Sequence, residues 1–304
     1  MIHFLYNYAL TRRPRKKRNW LNRWLLWQLY KYLKVHLVKY YKNVSMDSLG
    51  IDSNSDVIVS LTSFPARIDF VYLAIKSMLN QKRRPKKIIL WLGEEYFPNG
   101  EENLPNSLLE LKSLGLEIQF CEDIRAHTKY YYAFQKYPDE LIVTVDDDII
   151  YPVNLLQKLL EIHSKYPNCV VANRVRIMEL DNEGYKPYRE WRLNRLESNK
   201  NPSMKLIATG VGGVLYQSSL FQKSLYDLEG IKKINCIGDD IWLKAGQVVS
   251  DIPVVFTNYY FRQFFQIPDS QDENLFSKNV FDSDNDRQVN EVFAHFGITK
   301  KAFE

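Results

Sequence analysis

Leu141-Ile-Val-Thr-Val is a run of strand-forming residues that leads directly into Asp146, Asp147 and Asp148, and Pro152 then turns the chain away. Three adjacent carboxylates repel one another and are costly to take out of water. A chain that places them at the end of a buried strand needs compensating positive charge, and a divalent cation is the commonest source. Hard oxygen ligands on a short turn suit Mg²⁺ or Mn²⁺, which keep part of their coordination sphere for substrate phosphates. A solvated acidic turn is the simpler reading of the triplet alone. The strand before it and the segments around it favour the metal.

Those segments alternate in the manner of a βα fold. Strand patterns at 57–61, 87–92, 116–120 and 170–177 are interleaved with helical patterns at 70–81, 108–114, 129–137 and 153–166. Regularity then fails. Residues 181–204 are polar, contain Trp191, and read as a long loop of the kind that is usually functional or disordered. At 207–216 glycines interrupt a strand pattern, as a bulge or a close approach of ligand would require. Gly238-Asp239-Asp240 reads as a helix start with a carboxylate as N-cap, and 254–256 as a late strand. The acidic, polar stretch 269–286 reads as a mobile tail.

Charge is unevenly placed. Residues 1–46 hold 11 of the 41 Lys and Arg and none of the 36 Asp and Glu, so the net charge of +5 conceals a basic arm on an acidic remainder. That remainder is not built to bind nucleic acid. The arm combines the basic run 12–18 with a stretch from Trp20 to Lys42 that reads as an amphipathic helix. Arg23, Gln28, Lys31, Lys34, Lys39 and Lys42 are expected on one half, with Trp20, Trp24, Leu25, Tyr32, Leu33 and Val35 on the other. No charge-free run reaches the roughly 20 residues of a transmembrane helix, and no small-residue cleavage site marks a secretory signal. The composition suits an anionic membrane surface reached through residues 12–42. The alternatives are a helix packed on the globule or on a second subunit, and, less favoured, nucleic-acid binding. Cys121, Cys169 and Cys236 form no paired motif and are expected as buried free thiols, in keeping with a reducing compartment.

Taken in order, Thr62-Ser-Phe-Pro-Ala-Arg67 after the first strand, Asp146-Asp-Asp148 after a central strand, Gly210-Val-Gly-Gly213 and Gly238-Asp-Asp240 form a set that resembles the GT-A glycosyltransferases, particularly bacterial enzymes of surface-polysaccharide assembly. The resemblance covers about 57–256. It implies an α/β fold of GT-A type, a Rossmann-like mixed sheet flanked by helices, with the basic amphipathic helix preceding it. The implied organisation is an arm at 1–46, a catalytic domain at 57–265 and a C-terminal tail, a candidate lid, at 266–304. The implied activity is metal-dependent transfer of a sugar from a nucleotide-sugar donor to a glycan or lipid-linked acceptor, at the cytoplasmic face of a membrane. Mn²⁺ or Mg²⁺ would be held by Asp148 and Asp146, with His295 as a further ligand. Thr62, Pro65, Arg67, Lys129, Asp146 and Asp147 would meet the donor. Gly210, Gly212 and Gly213 would lie beside sugar and acceptor, and Trp191 suits stacking on a sugar face.

Such chemistry must stabilise a diphosphate leaving group and, for an inverting enzyme, deprotonate the acceptor hydroxyl. Asp240 or Asp239 is the candidate base, each able to raise the other's pKa. Bland roles stand beside these. Asp239 could be only a cap, Arg67 an ordinary ion-pair partner, Lys129 a solvated helix residue, Trp191 plain packing and His295 a structural histidine. A haloacid-dehalogenase-type phosphohydrolase also carries Asp-any-Asp after a strand, but at the start of its domain and followed by Thr or Val, whereas Ile149-Ile-Tyr follows here. A catalytically inactive membrane adaptor with the same fold is the remaining alternative.

Overall fold

Short runs rich in Val, Ile and Leu, free of interior proline, become strands, and the segments with helical periodicity become helices. The computed structural model describes residues 1–12, 20–181, 184–193, 202–268 and 284–303. In chain order the first elements are α1 (Ile2–Thr11), α2 (Trp20–Asn43), β1 (Val57–Ser63), α3 (Val71–Leu79), β2 (Lys87–Gly93), α4 (Asn106–Leu109), β3 (Leu116–Cys121) and α5 (Thr128–Lys136). They are followed by β4 (Leu141–Thr144), β5 (Ile149–Ile150), α6 (Leu155–His163), β6 (Val170–Ala172), β7 (Val175–Ile177), β8 (Arg192–Leu193) and β9 (Leu206–Ala208). The last are β10 (Val214–Gln217), α7 (Leu228–Ile234), α8 (Asp239–Val249), β11 (Val254–Phe256), β12 (Phe265–Gln266) and α9 (Asp284–His295). The fold is α/β, with a mixed seven-stranded sheet flanked by helices.

The chain divides into two compact units. The first comprises Met1–Asp123, Val145–Lys158 and Asn258–Asp272. Within it β1, β2 and β3 run parallel, with Leu61 opposite Leu90 and Leu90 opposite Ile118. Every residue of β1 except Thr62 is buried, as befits a parallel strand covered on both faces. Each Val, Ile or Leu so buried contributes about 1.5–3 kcal/mol. β5 pairs antiparallel with β12.

α1 and α2 belong to this unit rather than to a detached arm. Tyr6, Ala9 and Leu10 of α1 are fully buried, as are Leu33, Leu37 and Tyr41 of α2, a stripe at four-residue spacing. The Tyr6 hydroxyl donates to the Ile150 carbonyl at 2.5 Å and accepts from the Phe265 amide at 3.1 Å, joining β5 to β12. The expected two-sided wheel for α2 is not what forms. At about 100° per residue, Trp20, Trp24 and Val35 lie on the same arc as Lys31 and Lys42, and all five are exposed. The buried stripe takes a third direction. The basic run at 13–18 lies outside the described residues.

The second unit comprises Ile124–Thr144, Leu159–Thr257 and Glu273–Glu304. Here β10 is antiparallel to both β4 and β6, and β11 is parallel to β6. The single strand expected at 170–177 is two, β6 and β7, and β7 instead pairs with β8 and β9 in a separate small sheet. The helix expected at 108–114 is one α-turn, α4, continued as a 3-10 segment at Glu110–Leu114. Residues 182–183 and 194–201 of the expected long loop, and 269–283 of the expected mobile tail, lie outside the described residues. The chain beyond them returns as α9, which buries Val289, Val292 and Phe293. The three cysteines are buried free thiols.

Candidate functional site

The acidic turn follows β4 because the strand's apolar run ends where the carboxylates begin. Its backbone is pinned on several sides within the first unit. The Val145 amide donates to the Ser60 carbonyl at 3.1 Å, the Asp146 amide to the Tyr151 hydroxyl at 2.8 Å, and the Ile267 amide to the Asp148 carbonyl at 2.7 Å. Beyond the turn, the Ser77 hydroxyl accepts the Tyr151 amide and the Gln81 side chain donates to the Pro152 carbonyl. α3 thus fixes the point at which the chain turns away.

Asp147 and Asp148 are buried, while Asp146 is partly exposed. Arg67 supplies the compensating charge. Its Nη1 stands 2.7 Å from Asp147 Oδ1 and 3.4 Å from Asp148 Oδ2. The Ser63 hydroxyl donates to the other Asp147 oxygen at 2.6 Å. Burial raises the Asp147 carboxyl above its ordinary range, and the Arg67 charge and the two hydrogen bonds oppose that rise. Arg67 is delivered by the 3-10 turn Pro65–Arg67, in which proline occupies the first position and its fixed φ suits the bend. Its Nε is buried without a hydrogen-bond partner among the described residues. Pro65 is exposed, and the Thr62 hydroxyl donates across the register to the Trp91 carbonyl at 3.0 Å. Of the residues expected to meet the donor, the structure joins Arg67 and Asp147, and it adds the expected metal ligand Asp148 to the same cluster.

Among the described residues no group of three or more His, Cys, Asp or Glu side chains is arranged to cage a metal. The acidic turn nevertheless fits a shared cation. Mg²⁺ is commonly held by one or two carboxylates together with substrate phosphates, and Asp146 and Asp148 supply that hard donor set. Asp147, committed to Arg67 and Ser63, holds the turn's shape.

A second cluster lies in the second unit. Asp239 and Asp240 stand in the first turn of α8, where negative charge is favourable. The N-cap itself is Gly238, not a carboxylate, and no side chain caps this helix end. Asp239 is paired with Lys129 of α5 at 3.1 Å, both side chains being nearly buried. Asp240 Oδ1 accepts the Gly210 amide at 3.0 Å, which ties α8 to the glycine-rich turn Gly210–Gly212. That turn needs its glycines. Gly213 has φ +74°, and a Cβ on Gly212 would come within 2.9 Å of the Arg174 backbone nitrogen. Asn173 completes the support, donating to the Gly212 carbonyl at 3.1 Å and accepting from the Thr257 hydroxyl at 2.8 Å.

Two expected site residues have structural partners instead. Trp191 is only 2 % exposed, lies against Tyr188 with ring centroids 4.9 Å apart, and donates its indole N–H to the Lys186 carbonyl. Its faces are packed rather than presented to a sugar. His295 Nε2 meets Asp227 Oδ2 at 2.8 Å, and Asp227 also N-caps α7 through the Gly230 amide. The histidine thereby joins α9 to α7. Ser63, Tyr151 and Asn173, absent from the expected set, hold the two clusters in shape. Ser63 lies inside the Thr-Ser-Phe-Pro-Ala-Arg segment; the other two have no local signal.

No family model and no curated protein matches the chain. Among solved structures it is similar to the mannosyltransferase PcManGT from Pyrobaculum calidifontis in complex with GDP-Man and Mn²⁺, at 10 % identity and a TM-score of 0.40, over 84 % of this chain and 66 % of that one. It is similar to S. aureus TarS 1-349 in complex with UDP-GlcNAc at 11 % identity and a TM-score of 0.42, over 68 % and 57 % of the two chains. It is likewise similar to a 4-diphosphocytidyl-2C-methyl-D-erythritol synthase, at 11 % identity and a TM-score of 0.39, over 69 % and 94 %. The chain spans less than two thirds of the length of the first two of these chains.

Proposed function

We propose that this protein is a metal-dependent glycosyltransferase that uses a nucleotide-activated sugar. The observation that carries the reading is the acidic turn: three adjacent carboxylates at the end of a buried strand, two of them buried, with the Arg67 guanidinium 2.7 Å from Asp147 and 3.4 Å from Asp148. Three adjacent carboxylates supply the hard oxygen donors that a divalent cation shared with substrate phosphates requires.

In this reading Asp146 and Asp148 hold Mn²⁺ or Mg²⁺, which when bound supplies Lewis-acid stabilisation to the departing diphosphate. Arg67 and Ser63 hold Asp147 in place, so the turn is shaped before donor arrives. Thr62 and Pro65 flank the donor base and ribose. Asp240 is the preferred base for the acceptor hydroxyl in an inverting reaction, because Asp239 is committed to Lys129. The hydrogen bond from Gly210 fixes the Asp240 carboxylate and couples it to the glycine-rich turn. The acceptor class that suits this reading is a glycan or a lipid-linked sugar, as in surface-polysaccharide synthesis.

Thermal unfolding across a panel of sugar nucleotides, with and without Mn²⁺, tests this. Ligand that binds only the native state raises the melting temperature, by about 2.7 kcal/mol of stabilisation at a hundred times Kd. A rise with one donor that needs the metal, and that disappears in Asp148→Ala, is expected. A folded protein that responds to no donor rejects the reading.

A further inference from the structure

The aromatic rings at the start of α2 are exposed. Residues 20–25 are exposed without exception, and Trp20 is 72 % exposed, Trp24 49 % and Trp27 52 %. Exposed large apolar residues gathered at one end of a helix mark a surface made for an apolar partner. The later turns of α2 change character: Lys31, Lys34, Lys39 and Lys42 are exposed there, and the Lys31 ammonium lies 3.5 Å from the Trp27 ring centroid.

We propose that the first half of α2 forms a docking platform for an anionic lipid bilayer, with Trp20, Trp24 and Trp27 entering the headgroup layer. Charge selects this occupant. Residues 1–46 carry 11 Lys and Arg and no Asp or Glu, so a second copy seated on the same face would bring like charges together, whereas lipid phosphates neutralise them. Tryptophan rings sit at the headgroup level, and lysine stems lie along apolar surface with their ammonium groups on phosphate. No described helix is long and apolar enough to cross a membrane, so the platform lies on the bilayer.

The platform is braced rather than hung on a flexible tether. Leu33, Leu37 and Tyr41 anchor the second half of α2 in the core. Tyr6 of α1 hydrogen-bonds to Ile150, two residues past the acidic turn. Docking therefore holds the acidic turn at a set height and orientation over the lipid surface. This goes beyond the glycosyl-transfer reading and does not depend on it.

The test is sedimentation of the full chain with vesicles of phosphatidylcholine alone or with added phosphatidylglycerol, at low and high salt, for wild type and the triple variant W20S/W24S/W27S. Wild type is expected to bind the anionic vesicles at least about tenfold more tightly than the neutral ones, and to lose most of that binding at 0.5 M NaCl. The triple variant should bind at least about tenfold more weakly with an unchanged melting temperature, because all three rings are exposed. Equal binding by the variant, equal binding to neutral vesicles, or a wild-type dimer that the variant dissolves while neither binds lipid would each overturn the proposal. The readout involves no nucleotide, so its failure leaves the glycosyl-transfer reading untouched.

Discussion

Lys244 gives the sharpest quantitative handle on the fold. It lies on α8, is wholly buried, and its Nζ has no hydrogen-bond partner among the described residues. The Nζ stands 5.8 Å from the centroid of the Phe303 ring. Burial lowers the ammonium from its ordinary 10.5 to about 7. Between those pH values the unfolded chain holds a proton that the folded chain has released, so stability rises with pH across that window. At about 1.4 kcal/mol per pKa unit, the native state is penalised by about 4 kcal/mol at pH 7 and by about 2 kcal/mol at pH 9. Lys244→Met, close in length and apolar, removes the titration. It should therefore stabilise the protein by about 4 kcal/mol at pH 7 and by only about 2 kcal/mol at pH 9. Urea unfolding of both proteins at pH 7, 8 and 9 measures this. A variant no more stable than wild type at pH 7, or a gain of the same size at all three pH values, would refute the reasoning.

Arg67→Met should cost about 2–4 kcal/mol in urea unfolding, since it leaves buried carboxylates uncompensated, and the double variant with Asp147→Asn should recover much of the loss. Gly213→Ala places an alanine at φ +74° and should lower stability by about 1–3 kcal/mol in the same assay. His295→Gln should lower stability by about 1 kcal/mol while leaving any metal dependence of donor binding intact, because the histidine engages Asp227; lost metal dependence would restore it as a ligand. Removing residues 1–42 should unfold the first unit rather than merely release a tether, as circular dichroism would show, because Tyr6, Leu33, Leu37 and Tyr41 are core.

The parts legible in the sequence were those written in consecutive residues. The apolar run before Asp146, the strand pattern at 87–92 and the helix opening at Gly238 all formed within a residue or so of where periodicity placed them. Pairings between distant segments were not legible. Nothing local marks Lys129 as the partner of Asp239, or Ser63 as the donor to Asp147. The polar sequence around Trp191 suits either a sugar platform or plain packing, and only its neighbours in space, Tyr188 and the backbone of Lys186, decide for packing. In the arm, a two-sided helical wheel includes Leu33 on its apolar half but does not single out the buried stripe Leu33, Leu37 and Tyr41. Three residues at four-residue spacing are easily lost among so many other large side chains. The split of 170–177 into two strands shows the same limit, since Asn173 and Arg174 do not by themselves announce a change of sheet.

The central claim is that the acidic turn holds a cation together with a nucleoside diphosphate. Electron paramagnetic resonance of Mn²⁺ tests it most directly, because the sharp signal of the aquo ion is lost when the ion is bound. Titrating wild type with Mn²⁺ in the presence of UDP or GDP should show one ion taken up per chain with one of the two nucleotides. Asp148→Asn, which leaves the Arg67 and Asp147 pair in place, should show none. Equal uptake by the variant, or no uptake by wild type with either nucleotide, would contradict the account.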